Sequence, residues 1–118
     1  MDQPTVEAIA TFLPHDEGGR STLLTFKSEP WYRPHIVIQD SAIRTAEVDE
    51  NGMNNENYLG VEFIDGPEHL QFGHRDQYQL RLFYSPAVDY SAVIVGAEFT
   101  IREGARIVGF GTVLSRSG

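Results

Sequence analysis

Apolar and polar residues alternate along several short stretches of this chain, as they do in strands that bury one face. The alternation is clearest over residues 5–13, where Val6, Ala8, Ala10 and Phe12 share one side. No stretch keeps a helical period, and glycine and proline residues separate one stretch from the next. The pattern predicts seven short strands, at residues 5–13, 21–26, 32–39, 60–64, 77–84, 97–102 and 106–114. We therefore expect an all-β fold, either a sandwich or a small antiparallel closed β-barrel, and favour the barrel.

The last two predicted strands are close enough in sequence to form a β-hairpin. They are two apolar alternating runs joined by a tight turn, which we place at Glu103-Gly104.

Two regions do not have a strand pattern. Residues 41–58 carry four acids among four asparagines, which predicts a long acidic surface loop. A calcium-binding loop counted from Asp49 would need glycine at the sixth position, where Asn54 stands, so we expect no metal site there. Residues 85–96 are unusually apolar for a turn. They predict a further strand or a crossing between strands, and an exposed apolar contact patch is the alternative.

Composition limits the class of protein. The 118 residues fit a single domain, 1–118, and 17 acids against 9 bases give a net charge of −8. That negative charge counts against a nucleic acid as the binding partner, because phosphates attract basic surfaces, and it favours a protein partner. Without cysteine there is no disulfide framework, thiolate metal site or cysteine nucleophile. Neither a signal peptide nor an apolar membrane span can be recognised, so we predict a cytoplasmic protein that does not bind membranes.

The motifs of common enzymes are absent from the sequence. A phosphate-binding P-loop needs a lysine after a glycine-rich stretch, but the single lysine, Lys27, stands between Phe26 and Ser28. No Asn-Lys pair of a GTPase base-recognition motif occurs either. The four histidines do not stand in a nucleophile or zinc-protease motif. We predict no catalytic residue, no cofactor and no nucleotide, although histidines that met carboxylates in a pocket would favour an enzyme.

Three short segments, in order, resemble the third, C-terminal domain of bacterial elongation factor Tu. They are Glu17-Gly-Gly-Arg20, Tyr32-Arg-Pro34, and Ile101-Arg-Glu-Gly104 followed by Arg106-Ile-Val-Gly-Phe-Gly111. The resemblance runs from about residue 5 to residue 116 and implies an antiparallel closed β-barrel, here as a free-standing domain with a role related to translation. The other explanation of these matching residues is that they only maintain a barrel, with glycines in turns and Arg–Glu pairs that bridge strands.

The resemblance also implies a binding surface. In the elongation factor this domain grips the T-stem of aminoacyl-tRNA, packs against the GTPase domain and contacts the exchange factor. Arg20 matches an arginine that faces the RNA backbone, Arg33 belongs to the Tyr-Arg-Pro segment, and His35 stands where the family has glutamine. Glu103 and Gly104 match the hairpin tip that approaches the T-stem. These five residues are the candidate tRNA-binding or partner-binding positions.

Two hypotheses about function follow, and the first is favoured. The chain is a non-enzymatic protein-binding module, because it lacks the GTPase motifs and carries an acidic loop that would repel phosphates. The alternative is a small RNA-binding protein that keeps the tRNA T-stem grip. An enzyme of unrecognised chemistry is a third and weaker hypothesis.

Overall fold

The computed structural model describes residues 3–17, 19, 32–46, 50 and 56–118. The strand predicted at 21–26, Arg20, and most of the central part of the acidic loop lie outside this description. The described part contains a short 3-10 turn at His15–Glu17 and no α-helix. Its strands are β1 (Thr5–Phe12), β2 (His35–Ile38), β3 (Leu59–Gly60), β4 (Glu62–Asp65), β5 (Arg75–Arg81), β6 (Glu98–Glu103) and β7 (Arg106–Ser117). Within these residues, no helix has the length and apolar character needed to span a bilayer.

The strands form one antiparallel sheet in the spatial order β3-β2-β6-β7-β1-β5-β4. The sheet curls into a half-barrel, which confirms the all-β prediction. Strand β7 is the longest and lies between β1 and β6, so the two ends of the sequence meet in the middle of the sheet.

The core occupies the inner side of the curled sheet. In β1 the even-numbered residues are buried and the odd-numbered residues are not, as the alternation predicted. Phe12, Phe63 and Tyr78 form the aromatic centre of the core, with ring centroids 5.5–5.7 Å apart and tilted or edge-on rings. Such rings combine a large buried area with a favourable mutual geometry.

Residues 59–65 supply both outermost strands of the sheet, β3 at one edge and β4 at the other. Strand β3 pairs with β2, and β4 pairs with β5. Between these pairings, the amide of Val61 donates to the carbonyl of Pro34 at 3.0 Å, and the amide of Phe63 donates to the carbonyl of Tyr32 at 2.8 Å. One continuous segment is therefore hydrogen-bonded on both sides.

The hairpin between β6 and β7 is present, but its turn lies one residue later than predicted. Glu103 pairs with Arg106, so the two turn residues are Gly104 and Ala105. Gly104 has a φ of +62°. A positive φ at the first of two turn residues is typical of the type II′ turn, in which glycine carries no steric penalty.

Residues 85–96 form an inter-strand crossing and contain no strand. They connect β5 to β6, which are separated in the sheet by β1 and β7. Tyr90 and Val93 are buried in the core, whereas Ile94 is 58% exposed and Val95 is 65% exposed. The predicted further strand is wrong here because the segment closes its backbone hydrogen bonds in local turns, such as that from Val93 to Tyr90.

Candidate functional site

Four of the five predicted binding residues lie near one another. His35 in β2 pairs with Arg102 in β6, which directly precedes Glu103. The hydroxyl of Tyr32, next to Arg33 in sequence, donates to Oε2 of Glu103 at 2.5 Å. We call the surface formed by Arg33, His35, Glu103 and Gly104 the hairpin-end face. The fifth residue, Arg20, lies outside the described residues.

Arg33 forms part of an ionic cluster around one buried carboxylate. Its Nε donates to Oε2 of Glu62 at 2.7 Å, and Nη1 of Arg81 donates to Oε1 of the same carboxylate at 2.7 Å. The side chain of Glu62 is fully buried. The Arg33 guanidinium also lies 4.4 Å from the ring centroid of Phe83. The positive charge of Arg33 is therefore partly offset within the protein, by a carboxylate that it shares with Arg81.

His35 lies on the outer side of β2, beside the end of the acidic loop. Its ring centroid is 5.8 Å from that of Tyr58, and its backbone lies between Gly60 of β3 and Arg102 of β6. The ring is partly covered by Tyr58, which leaves only part of it available to a partner.

Arg102 is the most extensively hydrogen-bonded side chain of the region. It is completely buried, and its Nη1 donates to Oε1 of Glu56 at 2.7 Å and to the hydroxyl of Tyr58 at 3.0 Å. Its Nη2 donates to Oε2 of Glu56 at 2.5 Å and to Oε1 of Gln39 at 2.7 Å. Its Nε donates to Oγ1 of Thr100 at 3.0 Å. All five N–H donors of the guanidinium thus have acceptors, and we call these five residues the Arg102 network.

The Arg102 network fixes the protonation of its arginine. Burial alone would lower the pKa of Arg102, but the hydrogen bonds and the charge of Glu56 outweigh burial and raise that pKa above its ordinary value. The permanently charged guanidinium holds the C-terminal end of the acidic loop, at Glu56 and Tyr58, against the outer side of β2 and β6.

Arg102 belongs to one of the three segments that carry the sequence resemblance, but it was not among the predicted binding residues. The alternation in β6 puts Phe99 and Ile101 in the core and Thr100 and Arg102 on the opposite side of the sheet. On that side Arg102 binds Glu56, which is 46 residues away in sequence. A local pattern contains no signal for that contact.

The hairpin-end face is close to electrically neutral. Arg33, Arg81 and Arg102 stand against the carboxylates of Glu56 and Glu62, and Glu103 adds a third negative charge. Beside the hairpin tip, Glu56, Tyr58, Gly104 and Ala105 line an open cavity of about 380 Å³. The face thus places hydrogen-bonded polar groups beside an open recess.

The histidines of the described part are not grouped as metal ligands. Nδ1 of His74 lies 3.0 Å from Oδ2 of Asp76, and the histidine is largely exposed. Across residues 3–17, 32–46 and 56–118, no three His, Asp or Glu side chains are grouped so as to hold a metal ion.

The sequence matches neither a model of a known protein family nor a curated protein.

Proposed function

We propose that this chain is a non-enzymatic protein-binding module that uses the hairpin-end face as its contact surface. The observation that carries the proposal is the pairing of Arg33 on this face, and of Arg81 and Arg102 outside it, with buried glutamates. Arg33 and Arg81 share Glu62, and Arg102 is bound by both oxygens of Glu56.

This pairing favours a protein over RNA as the partner. Affinity for nucleic acid comes largely from cations that replace the counterions of phosphates. A guanidinium already paired with a carboxylate contributes little to that effect, and the net charge of −8 opposes it further. Preformed polar groups around an open recess are instead typical of surfaces that recognise proteins, where arginine and tyrosine are common.

The fold proposed for the module is a closed antiparallel β-barrel of the elongation factor Tu C-terminal type. The two-sided pairing of residues 59–65 supports closure, because this segment bonds both to β2 and to β5. The sequence resemblance supports the family. The candidate partners are a GTPase domain, a nucleotide exchange factor or an unrelated protein. The same resemblance supports a cytoplasmic location and a role related to translation.

The test is a partner capture with matched variants. The wild-type domain is incubated with cell lysate with and without ribonuclease, and the captured proteins are identified. Ala105→Arg places a large charged side chain at the exposed hairpin tip. Ser115→Arg places the same side chain at an exposed position of β7, opposite Glu7 in the sheet.

The identified protein is then purified, and its affinity for each variant is measured by calorimetry. We expect a ribonuclease-resistant partner whose affinity falls at least tenfold with Ala105→Arg and less than twofold with Ser115→Arg, since tenfold corresponds to about 1.4 kcal/mol. Equal affinity for all three proteins would contradict the proposed surface.

Binding to the tRNA T-stem is the second candidate, favoured by the 57% exposure of the Arg33 side chain. It predicts that tRNA is retained by the domain and that affinity falls steeply between 50 and 200 mM salt, by about 10³-fold or more if six or more phosphates are contacted. Arg33→Gln would reduce that salt dependence. Retention of tRNA with this behaviour would replace the protein-binding proposal.

A further inference from the structure

A second polar surface lies on the outer side of β5, β1 and β7. Arg75 of β5 pairs with Thr11 of β1, and Thr11 pairs with Phe110 of β7, so the three side chains form a row across the sheet. Thr112 lies two residues beyond Phe110 on the same outer side. We call Arg44, Arg75, Thr11, Phe110 and Thr112 the outer arginine site.

Arg44 reaches this row from the loop after β2. Its guanidinium carbon lies 4.4 Å from the ring centroid of Phe110, a cation–π distance. Its Nη1 donates to the carbonyl of Ser41 at 2.5 Å and to that of Ile43 at 3.0 Å. These contacts hold a cation in place without neutralising it, because their acceptors are uncharged carbonyls.

Arg75 is exposed at the other end of the row. Neighbouring strands are about 4.8 Å apart, so the Cα atoms of Arg75 and Phe110, two strands apart, are separated by about 10 Å. Two arginine side chains can therefore face one group between them. Over the part of the chain that the structure describes, neither Arg44 nor Arg75 forms an ion pair, in contrast to Arg33, Arg81 and Arg102.

A cavity of about 230 Å³ lies at this row. Arg75, Ser41, Thr11, Phe110 and Thr112 are among the residues that line it. The threonine hydroxyls are partly exposed and are able to donate hydrogen bonds to an anion. Two carboxylates of the described residues lie on the same side. Glu98 accepts hydrogen bonds from the amide and hydroxyl of Ser41. Glu7 lies further along β1 and accepts a hydrogen bond from Nε2 of Gln77 at 3.1 Å.

We propose that the outer arginine site binds the phosphate group of a small phosphate monoester. Arg75 lines the cavity and Arg44 lies over the ring of Phe110, which lines it too; two guanidiniums so placed match a group with close to two negative charges and three acceptor oxygens. A carboxylate, with one charge and two oxygens, would need only one of them. This site is separate from the hairpin-end face and does not depend on the protein-binding proposal.

The test uses amide NMR spectra of the labelled domain at constant ionic strength. Inorganic phosphate and adenosine 5′-monophosphate are titrated separately, and the resonances of Thr11, Phe110 and Thr112 are followed. We expect saturable shifts at these positions, and a loss of affinity of at least about tenfold with either Arg44→Gln or Arg75→Gln. Glu98→Gln should strengthen binding, because it removes a negative charge while keeping an oxygen that can accept from Ser41.

The matched control is Arg106→Gln, which removes one arginine charge from the exposed end of β7. Affinity in this variant should stay within twofold of the wild-type value. Shifts that fail to saturate, or an equal loss of affinity in Arg106→Gln, would show a general charge effect and overturn the proposal.

The two ligands separate the possible sources of the phosphate. Tighter binding of the nucleotide than of inorganic phosphate would mean that Phe110 and Arg44 also contact the base. Equal binding would define a site for the phosphate group alone. No shift with either ligand would overturn the proposal outright.

Discussion

At the scale of single residues, the molecule is held by a few buried polar side chains as well as by its apolar core. Arg102 is fully buried, and the side chain of its partner Glu56 is only 3% exposed. Removing one member of a buried ion pair leaves a desolvated charge without compensation, which costs far more than the net contribution of the intact pair. The stability of this region therefore depends on both members being present together.

Arg102→Ala should lower the free energy of unfolding by about 3–5 kcal/mol, because the buried carboxylate of Glu56 would lose the guanidinium that binds both its oxygens. Urea denaturation followed by circular dichroism measures the change. Arg33→Ala is the control and should cost clearly less, since Glu62 keeps its bond to Arg81. A loss below about 1 kcal/mol for Arg102→Ala would mean that the Arg102 network contributes little to stability.

A buried tyrosine makes stability depend on pH in the alkaline range. Burial, with a smaller contribution from the charge of Asp76, raises the pKa of Tyr78 above its ordinary value. The folded state thus keeps the tyrosine proton when the unfolded chain releases it. The resulting stabilisation is complete below about pH 10 and is lost as the pH rises above it.

Tyr78→Phe should flatten the decline in unfolding free energy above about pH 10, because phenylalanine has no proton to lose. Urea denaturation at a series of pH values provides the measurement. Tyr84→Phe, at a tyrosine that is half exposed, should leave the decline unchanged. An unchanged decline in Tyr78→Phe would assign the pH dependence to other groups.

At the scale of elements, close approach between β7 and its neighbours sets which residues β7 can contain. A Cβ atom on Gly111 would lie 2.4 Å from the carbonyl oxygen of Ile9 and 2.7 Å from the Phe99 ring. The first neighbour is backbone of β1, so it cannot move without disturbing the strand pairing. Gly111 is thus required by the packing between strands and does not mark a turn.

Gly111→Ala should destabilise the protein by about 1–3 kcal/mol or more through steric crowding between the strands. Gly104→Ala, at the hairpin tip, has no atoms within reach of a new Cβ, and its cost of about 1–2 kcal/mol comes from the positive φ. D-alanine favours a positive φ, so it separates backbone strain from steric crowding. At position 104 it should restore the stability that L-alanine loses. At position 111 it should not restore stability, because the loss there comes from crowding. Thermal unfolding of the synthetic or recombinant variants gives the comparison.

At the scale of the whole molecule, the segment from residue 59 to residue 65 links the two ends of the sheet order. Glu62 lies at its centre and holds arginines from either side, Arg33 before β2 and Arg81 in β5. If this segment closes the sheet into a barrel, its amides should open only when the whole molecule unfolds.

Hydrogen exchange should therefore give the amides of Val61 and Phe63 the same opening free energy as the amides in the centre of β7. Glu62→Gln, which leaves two arginines without a carboxylate, should lower the values for both sets together. Faster exchange confined to residues 59–65 would describe an open half-barrel with a loosely attached edge.

The sequence alone predicted the strands better than it predicted the contacts between residues distant in sequence. The alternation in residues 5–13 placed β1 to within a residue, because one face of that strand is buried and the other is not. The hairpin was predicted for the same reason. The split of one predicted strand into β3 and β4, and the burial of Glu62 and Arg102, arise from partners distant in sequence. Arg33 was a candidate binding residue by resemblance alone, and its bond to Glu62, 29 residues away, could not be seen in the local pattern.

The placement of β7 between β1 and β6 has a consequence for protein synthesis. Strand β1 is made before β5, β6 and β7, yet one of its two neighbours is encoded more than 90 residues later, at residues 109–117. On the ribosome, the edge of β1 that pairs with β7 stays unpaired until these residues have left the exit tunnel. Nascent chains that stop before residue 106 would expose the edges of both β1 and β6 and would be prone to pair with one another. The sheet therefore reaches its strand order only after β7 has emerged.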